Sequence, residues 1–266
     1  MTWYPHRRIR AVPDGLLGPL GLLLCAGLLE AAPRLGLVPA AYLPPLSETA
    51  AALADEAAGG AFWSALADTL RGWGYGLAVA AAAGVGLGLV IGGAAPLRRV
   101  TASTIEFLRP IPSVALVPLA VLLYGTGQTS TLLLVVYASV WPVLLQVLAG
   151  VRDVDPVARD TAAGFRLSWW LRLRHLVWPT TLPFLMTGLR LAASVALILA
   201  VTAQLVIGAP GLGREIARAQ AANAVDRMYA LVVVTGLLGV AVNAGARALE
   251  RRVLFWHASV RKEAAA

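Results

Sequence analysis

Charge is scarce in this chain. Asp, Glu, Lys and Arg make up 14% of its 266 residues, against about a quarter in a soluble globular domain. That shortage excludes an ordinary water-soluble fold. Lysine is scarcer still, since Lys262 in "VRKEA" is the only one. A phosphate loop of the form G-x-x-x-x-G-K-[ST] is therefore absent, and with it a built-in ATP motor of that type. Cys25 is the single cysteine, which rules out an intrachain disulfide and a cysteine-built metal site. It lies in an apolar run, where packing is its expected role. The three histidines, His6, His175 and His257, all fall in basic segments. No Ser–His pair or histidine cluster can form within an apolar span, so an enzyme reading has no catalytic group to rest on.

What fills the chain is hydrocarbon. Apolar residues make up 59% of it, the mean hydropathy is +0.74, and the apolar residues come in long runs. A membrane crossing needs about 20 of them. Six runs qualify as spans, at about 15–32, 73–95, 113–125, 129–150, 183–207 and 228–249. The fold class expected is an all-α membrane protein of about six transmembrane helices. The second run is rich in Gly and Ala, which lets helices approach closely in lipid. The expected organisation is a tail, first span and outer segment over 1–60, a transmembrane core over 61–250, and a C-terminal tail over 251–266. The N-terminus, "HRRIR" before an apolar run, reads as a retained first span and not a cleaved signal.

The net charge of +8 suits nucleic acid or a membrane surface. The apolar spans exclude a nucleic-acid partner and assign the lipid bilayer. With the N-terminus inside, the inner segments hold Arg7, Arg8 and Arg10, then Arg98, Arg99 and Arg109, then Arg152, Arg159, Arg166, Arg172 and Arg174, then Arg247, Arg251, Arg252, Arg261 and Lys262. The outer segments hold Arg34, Arg71, Arg214, Arg218 and Arg227, and Arg190 lies within the fifth span. The bias places both termini and the loop 151–182 in the cytoplasm of a multi-pass cell-membrane protein.

That loop contains "DTAAGFRLSWWLRLRHLVWPTTLP" (160–183), a basic, aromatic passage in an apolar chain. Asp155 is a candidate N-cap with Pro156 at the first helical position. A helix through about Phe165 follows, "RLS" interrupts, and Ser168 can cap a second helix. Pro179 ends this piece and Pro183 can open the fifth span. Phe165, Trp169, Leu173 and Leu176 recur at three- and four-residue steps and form an apolar stripe. From pattern alone, two short helices in series fit a lipid-surface helix held by arginines and a docking surface for a cytoplasmic partner equally well.

The loop resembles the cytoplasmic "EAA" loop of ABC importer permeases, whose pattern is an acidic residue, two small residues, a glycine a few residues on, then a hydrophobic residue and Leu-Pro. Aligned on "WP", Pro179 takes the motif proline, Leu176 the hydrophobic position, and Asp160, Thr161 and Ala162 the "EAA". Arg166 stands at the glycine position and Trp178 at the leucine. "FLRPIPSVALVPLAVLLYGTGQ" (107–128), "GVRDVDP" (150–156), "LPFLMTGLRLAASVALILAVTAQL" (182–205), "GLG" (211–213) and "ALERRVLFW" (248–256) are similar to permeases of the nitrate/sulfonate/taurine group in the same order and spacing.

The resemblance implies a type I importer permease that does no chemistry and binds no cofactor, ATP and Mg being held by a partner. The implied partners are two ATPase subunits, an outer substrate-binding protein and a second permease copy, with a homodimer expected. The loop, about 156–178, would dock the ATPase through Asp160, Thr161, Ala162, Phe165, Arg166, Trp169, Trp170 and Pro179. The implied solutes are sulfonate, taurine, nitrate, bicarbonate and similar small anions. The rival reading is an ion-coupled carrier, against which no acidic residue falls at mid-span.

Four further residues are candidates for the translocation pathway. Arg190 can attract an anion, snorkel to the interface or bond a neighbouring helix. In that permease group, the outer end of the fifth span usually reads "AEL". Gln204 takes the acidic position here and can line the path or hold helices together. Gly211 and Gly213, in "GAPGLG", belong to a flexible outer turn that suits a partner contact, a lid or a plain connection. Residues 61–72 read as an amphipathic helix leading into the second span, behind a Pro-, Ala- and acid-rich outer segment over 33–60.

Overall fold

A computed structural model describes residues 14–256. The calls on His6, Arg7, Arg8, Arg10, His257, Arg261 and Lys262 lie outside the described residues. Those residues form helices and no strand. In chain order they are α1 (Asp14–Arg34), α2 (Leu46–Ala58), α3 (Gly60–Gly93), α4 (Ala95–Leu108), a 3-10 turn (Ser113–Leu116) running into α5 (Val117–Tyr124), and α6 (Gln128–Arg152). Then come α7 (Pro156–Gly164), α8 (Trp169–Arg172), a π turn (Leu173–Val177), α9 (Trp178–Ile207), α10 (Leu212–Ala221) and α11 (Val225–Val253). Five of these helices are long and apolar enough to cross a membrane, six if the bent pair α4 and α5 counts as one crossing.

Helix α6 sits at the centre, between α3 and α9. In lipid there is no hydrophobic gain in pressing two apolar helices together, so contact depends on close packing. Helix α3 achieves it with Gly76, Gly84, Gly88 and Gly92, spaced in multiples of four and buried. Each faces a valine of α6. A Cβ on Gly76 would lie 2.4 Å from Val135, one on Gly84 2.8 Å from Val143, one on Gly88 2.6 Å from Val147, and one on Gly92 3.0 Å from Val151. On the other side, a Cβ on Gly150 would meet the Thr181 backbone at 2.8 Å, and one on Gly188 would meet Gln146 and the Pro142 carbonyl at 3.0 and 3.1 Å. Trp73 Nε1 donates to the Ala193 carbonyl at 2.9 Å and ties α3 to α9.

Three elements differ from the sequence reading. Residues 61–72 are the first part of the single 34-residue helix α3, because no breaker separates them from the span. The third span, Ser113–Tyr124, has the expected bounds within a residue but is preceded by a helix, α4, that the sequence reading did not place. α4 and the 113–124 segment meet at a bend of 83° across residues 109–112, where Pro110 and Pro112 stop the helix. Tyr137 Oη donates to the Leu108 carbonyl at 2.7 Å, so this break lies beside the middle of α6. Finally, Pro179 does not end the loop helix. It lies inside one 39-residue helical stretch made of α8, the π turn and α9, directly after the π turn, where the Trp178 N–H bonds back five residues to the Leu173 carbonyl and the four-residue ladder is already shifted.

The outer segment also has structure. Helix α2 packs Leu53 and Ala57 against a core of Phe62, Ala65, Leu212, Ile216, Leu231 and Val234 drawn from α3, α10 and α11. Arg227 of α11 joins Glu56 of α2 at 2.6 Å and Glu215 of α10 at 3.4 Å.

Two alanine substitutions two residues apart test the α3–α6 contact. Gly84→Ala drives a Cβ into Val143 and is expected to destabilise the protein by about 1–3 kcal/mol. Gly86→Ala meets nothing within 4 Å and is expected to be neutral or slightly stabilising. Thermal unfolding in detergent separates the two.

Candidate functional site

The loop between α6 and α9 is built from two capped short helices. Asp155 caps α7, its Oδ1 accepting from the Val157 N–H at 2.8 Å, and Pro156 opens the helix. At the other end, the Leu167 N–H donates to the Ala162 carbonyl and the Arg166 N–H to the Ala163 carbonyl. This is the paired-bond termination that needs a left-handed residue after the helix. Arg166 fills that position with φ +51°. It is the same residue that the sequence alignment sets at the family glycine, and the left-handed backbone is the physical reason glycine suits it. Ser168 Oγ then accepts from the Leu171 N–H at 3.4 Å and caps α8.

Within this frame the predicted loop residues divide by exposure. Ala162 is buried and anchors α7. Thr161 bonds back to the Val157 carbonyl at 2.7 Å. Asp160 is exposed and makes no side-chain hydrogen bond or ion pair among the described residues. Phe165, Trp169 and Trp170 are 78%, 74% and 58% exposed, and the two indoles lie 6.4 Å apart. Three large aromatics held out from capped short helices form an apolar projection on a basic loop.

The outer turn is held from inside. Gln204 is fully buried. Its Oε1 accepts from Thr69 Oγ1 at 2.9 Å and from the Gly213 N–H at 3.3 Å, while Thr69 Oγ1 accepts from the Leu212 N–H at 2.9 Å. A Cβ on Gly211 would strike the Gln204 amide at 2.3 Å, and one on Gly213 would strike the Val201 carbonyl at 2.1 Å. Gly211 also has φ +144°. These three pathway candidates thus come together in one knot joining α3, α9 and α10. Arg190 does not join them. It pairs with Glu250 of α11 at 3.3 Å, about 21 Å along α9 from Gln204. Arg109 was read as a loop cation, but it borders two cavities beside α6. The signal in the sequence was "RPIP" (109–112), two prolines that no straight span tolerates.

A bundle of long apolar helices carrying a short, capped, aromatic loop defines a multi-span membrane component. The chain belongs to the family of binding-protein-dependent transport system inner membrane components, whose pattern matches residues 84–255. It is 33% identical over 172 residues to the taurine transport system permease protein TauC of Escherichia coli (strain K12), covering 65% of this chain and 62% of that protein. It is 29% identical over 167 residues to the bicarbonate transport system permease protein CmpB of Synechococcus elongatus, covering 62% of this chain and 60% of that one. The chain therefore spans less than two thirds of these relatives' own length. Among solved structures, an amino acid ABC transporter with histidines superposes with a TM-score of 0.61 at 19% identity, over 72% of this chain and 94% of that one. An inward-facing MetNI methionine ABC transporter gives 0.58 at 18%, over 72% and 93%. The fold is that of a type I ABC importer permease.

Replacing Arg166 by glycine is expected to keep the loop and to stabilise it locally by about 1 kcal/mol, since a left-handed non-glycine residue costs about that much. Slower amide hydrogen exchange across 160–170 reports the gain. Arg166→Val is expected to speed the same exchange.

Proposed function

We propose that this chain is the membrane-spanning subunit of an ATP-driven, binding-protein-dependent importer for a small solute bearing an anionic group. The observation that carries the reading is the loop 156–178, where Phe165, Trp169 and Trp170 project from a frame capped at Asp155 and Ser168 and turned at Arg166. Aromatics and arginine of this kind dominate interface energetics when a partner groove buries them. The partner is a separate ATPase, because the chain has no phosphate loop of its own. Two ATPases, two permease copies and an outer binding protein complete the assembly. Both termini and the loop lie in the cytoplasm, following the arginine distribution. Relatives named for taurine and bicarbonate support a solute that is small and carries an oxyanion.

In operation, ATP-driven closure of the ATPases moves the loops. The loop passes its displacement to α9 through α8 and the π turn, with no flexible linker between. The path between the permease copies then turns from inward- to outward-facing, and the binding protein supplies the solute. In this scheme Asp160, exposed and unpaired on α7, is placed to meet a cation of the ATPase. Gln204, Gly211 and Gly213 hold the outer end of α9 to α3 and α10, at the outer mouth of the path.

Copurification with the ATPase tests the docking role. Trp169→Ala or Phe165→Ala is expected to leave the chain folded in the membrane and to weaken ATPase binding by 2 kcal/mol or more, about 30-fold in affinity. Arg172→Ala with Arg174→Ala removes only membrane attraction, about 1 kcal/mol for each, and leaves the complex intact. Full copurification and transport in both aromatic variants would assign the loop to the lipid surface instead. The chain purified without its partner is expected to hydrolyse no ATP, and robust turnover from it free of contaminants would sink the reading.

A further inference from the structure

We propose that Arg109, at the break between α4 and α5, is an anion-binding step within the translocation path. The ligand is the oxyanion end of the transported solute, a sulfonate, carboxylate or inorganic oxyanion. The proposal deepens the importer reading above and rests on it.

The first argument is depth. Leu108, next to Arg109, has its carbonyl bonded by Tyr137, and Tyr137 lies roughly 14 Å along α6 from its Gln128 end, at a rise of about 1.5 Å per residue. The non-helical residues 109–112 therefore sit beside the middle of a membrane-crossing helix. Open backbone at that depth is tolerated only where protein covers it or where it lines a cavity. Here it lines one. A cavity of about 550 Å³ is bordered by Arg109, Ser113, Trp141 and Gln146, with apolar side chains of α9 opposite. A second, of about 620 Å³, lies between α4 and α6. It shares Arg109 and Leu145 with the first and adds Arg98, Arg152 and the carboxylate of Glu106. Arg109 stands where the two meet, between the basic end of α6 and its centre.

The second argument is unpaired polarity. Arg190, the other arginine associated with the spans, is matched by Glu250. Arg109 has no ion pair and no side-chain hydrogen bond among the described residues. Trp141, on the same cavity wall, has its indole Nε1 buried without a hydrogen-bond partner, although a buried donor left unpaired costs about 1–3 kcal/mol. The hydroxyl of Ser113 and the amide of Gln146 are also without partners among the described residues. An ionisable side chain at membrane depth is expensive and marks a ligand or ion path. A guanidinium presents a planar fork of donors that fits an oxyanion, and an indole N–H and a hydroxyl add to it. No carboxylate borders this first cavity, so a cation gains nothing there. A single arginine in a wide cavity binds weakly enough to release its ligand, as a conducting path requires.

The test uses the assembled transporter, permease with ATPase and binding protein, in proteoliposomes. The probes are taurine, methanesulfonate, bicarbonate and nitrate. For an anion that the wild type carries, Arg109→Gln is expected to lower uptake 10- to 100-fold at equal membrane content and equal ATPase binding. Arg109→Lys keeps the charge, loses the fork, and is expected to recover most of the activity. Trp141→Phe removes the N–H donor and is expected to raise the half-saturating concentration several-fold. Arg71→Gln, which removes an exposed cation paired with Asp68, is expected to change nothing. A wild type that carries none of the four probes, or only uncharged or cationic solutes, overturns the importer reading of the solute and this proposal with it. A wild type that carries an anion, with unchanged uptake in Arg109→Gln, overturns this proposal alone. If Arg109→Gln does not accumulate in the membrane, wild-type half-saturation in Trp141→Phe overturns it equally.

Discussion

The molecule depends on how closely α3 can approach α6. Four glycines of α3 set against four valines of α6 leave no room for a single added carbon. Dispersion between heavy atoms is worth only about 0.1–0.2 kcal/mol per pair, so the contact has to be long and continuous to hold two helices together in lipid. Spacing in multiples of four keeps the glycines on one face over most of α3, and the valines supply branched side chains that need no rotamer change. With α3 seated, α6 has one face left, and Gly150 and Gly188 bring α9 onto it. Every functional candidate is positioned by these three helices.

Polar groups then fix the ends that packing leaves open. At one end of α9, one buried glutamine and one buried threonine satisfy the turn that joins α9 to α10. At the other end of α9, Asp155, Ser168 and the left-handed Arg166 stop and restart the chain within fourteen residues. A buried glutamine would be costly without partners, and both of its acceptor bonds go to segments that must stay in register. The two ends of α9 are thus anchored by different means: hydrogen bonds at one, helix caps and aromatic surface at the other.

Much of this was legible in the sequence, for reasons that differ by element. The spans follow from apolar length alone, and the caps at Asp155 and Ser168 follow from local side-chain chemistry. The left-handed turn at Arg166 coincides with the glycine position of the resembling family. What local pattern could not supply were the partners. Thr69 lies 135 residues from the Gln204 it bonds, and nothing near Arg190 in the chain announces Glu250. The break at 109–112 was missed because a charge count treats every arginine outside an apolar run as a loop residue. The prolines around it carried the opposite message. The fusion of α8 to α9 was missed because Pro179 reads as a terminator, whereas the π turn just before it shifts the hydrogen-bond ladder and the helix runs on.

The π turn at Leu173–Val177 gives that fusion a direction. Such a turn holds one residue more than an α-helix of the same rise, and one residue corresponds to about 100° of rotation. Everything before the turn is therefore clocked by that angle relative to everything after it. The buried stripe of α9, from Leu185 through Ala203, sets the zero of this dial, since it is locked against α6. Trp169 and Trp170 take their bearing from the extra residue. Their outward aim is thus a matter of helical phase: a sequence with the same aromatics and one residue fewer would point them elsewhere at almost the same height.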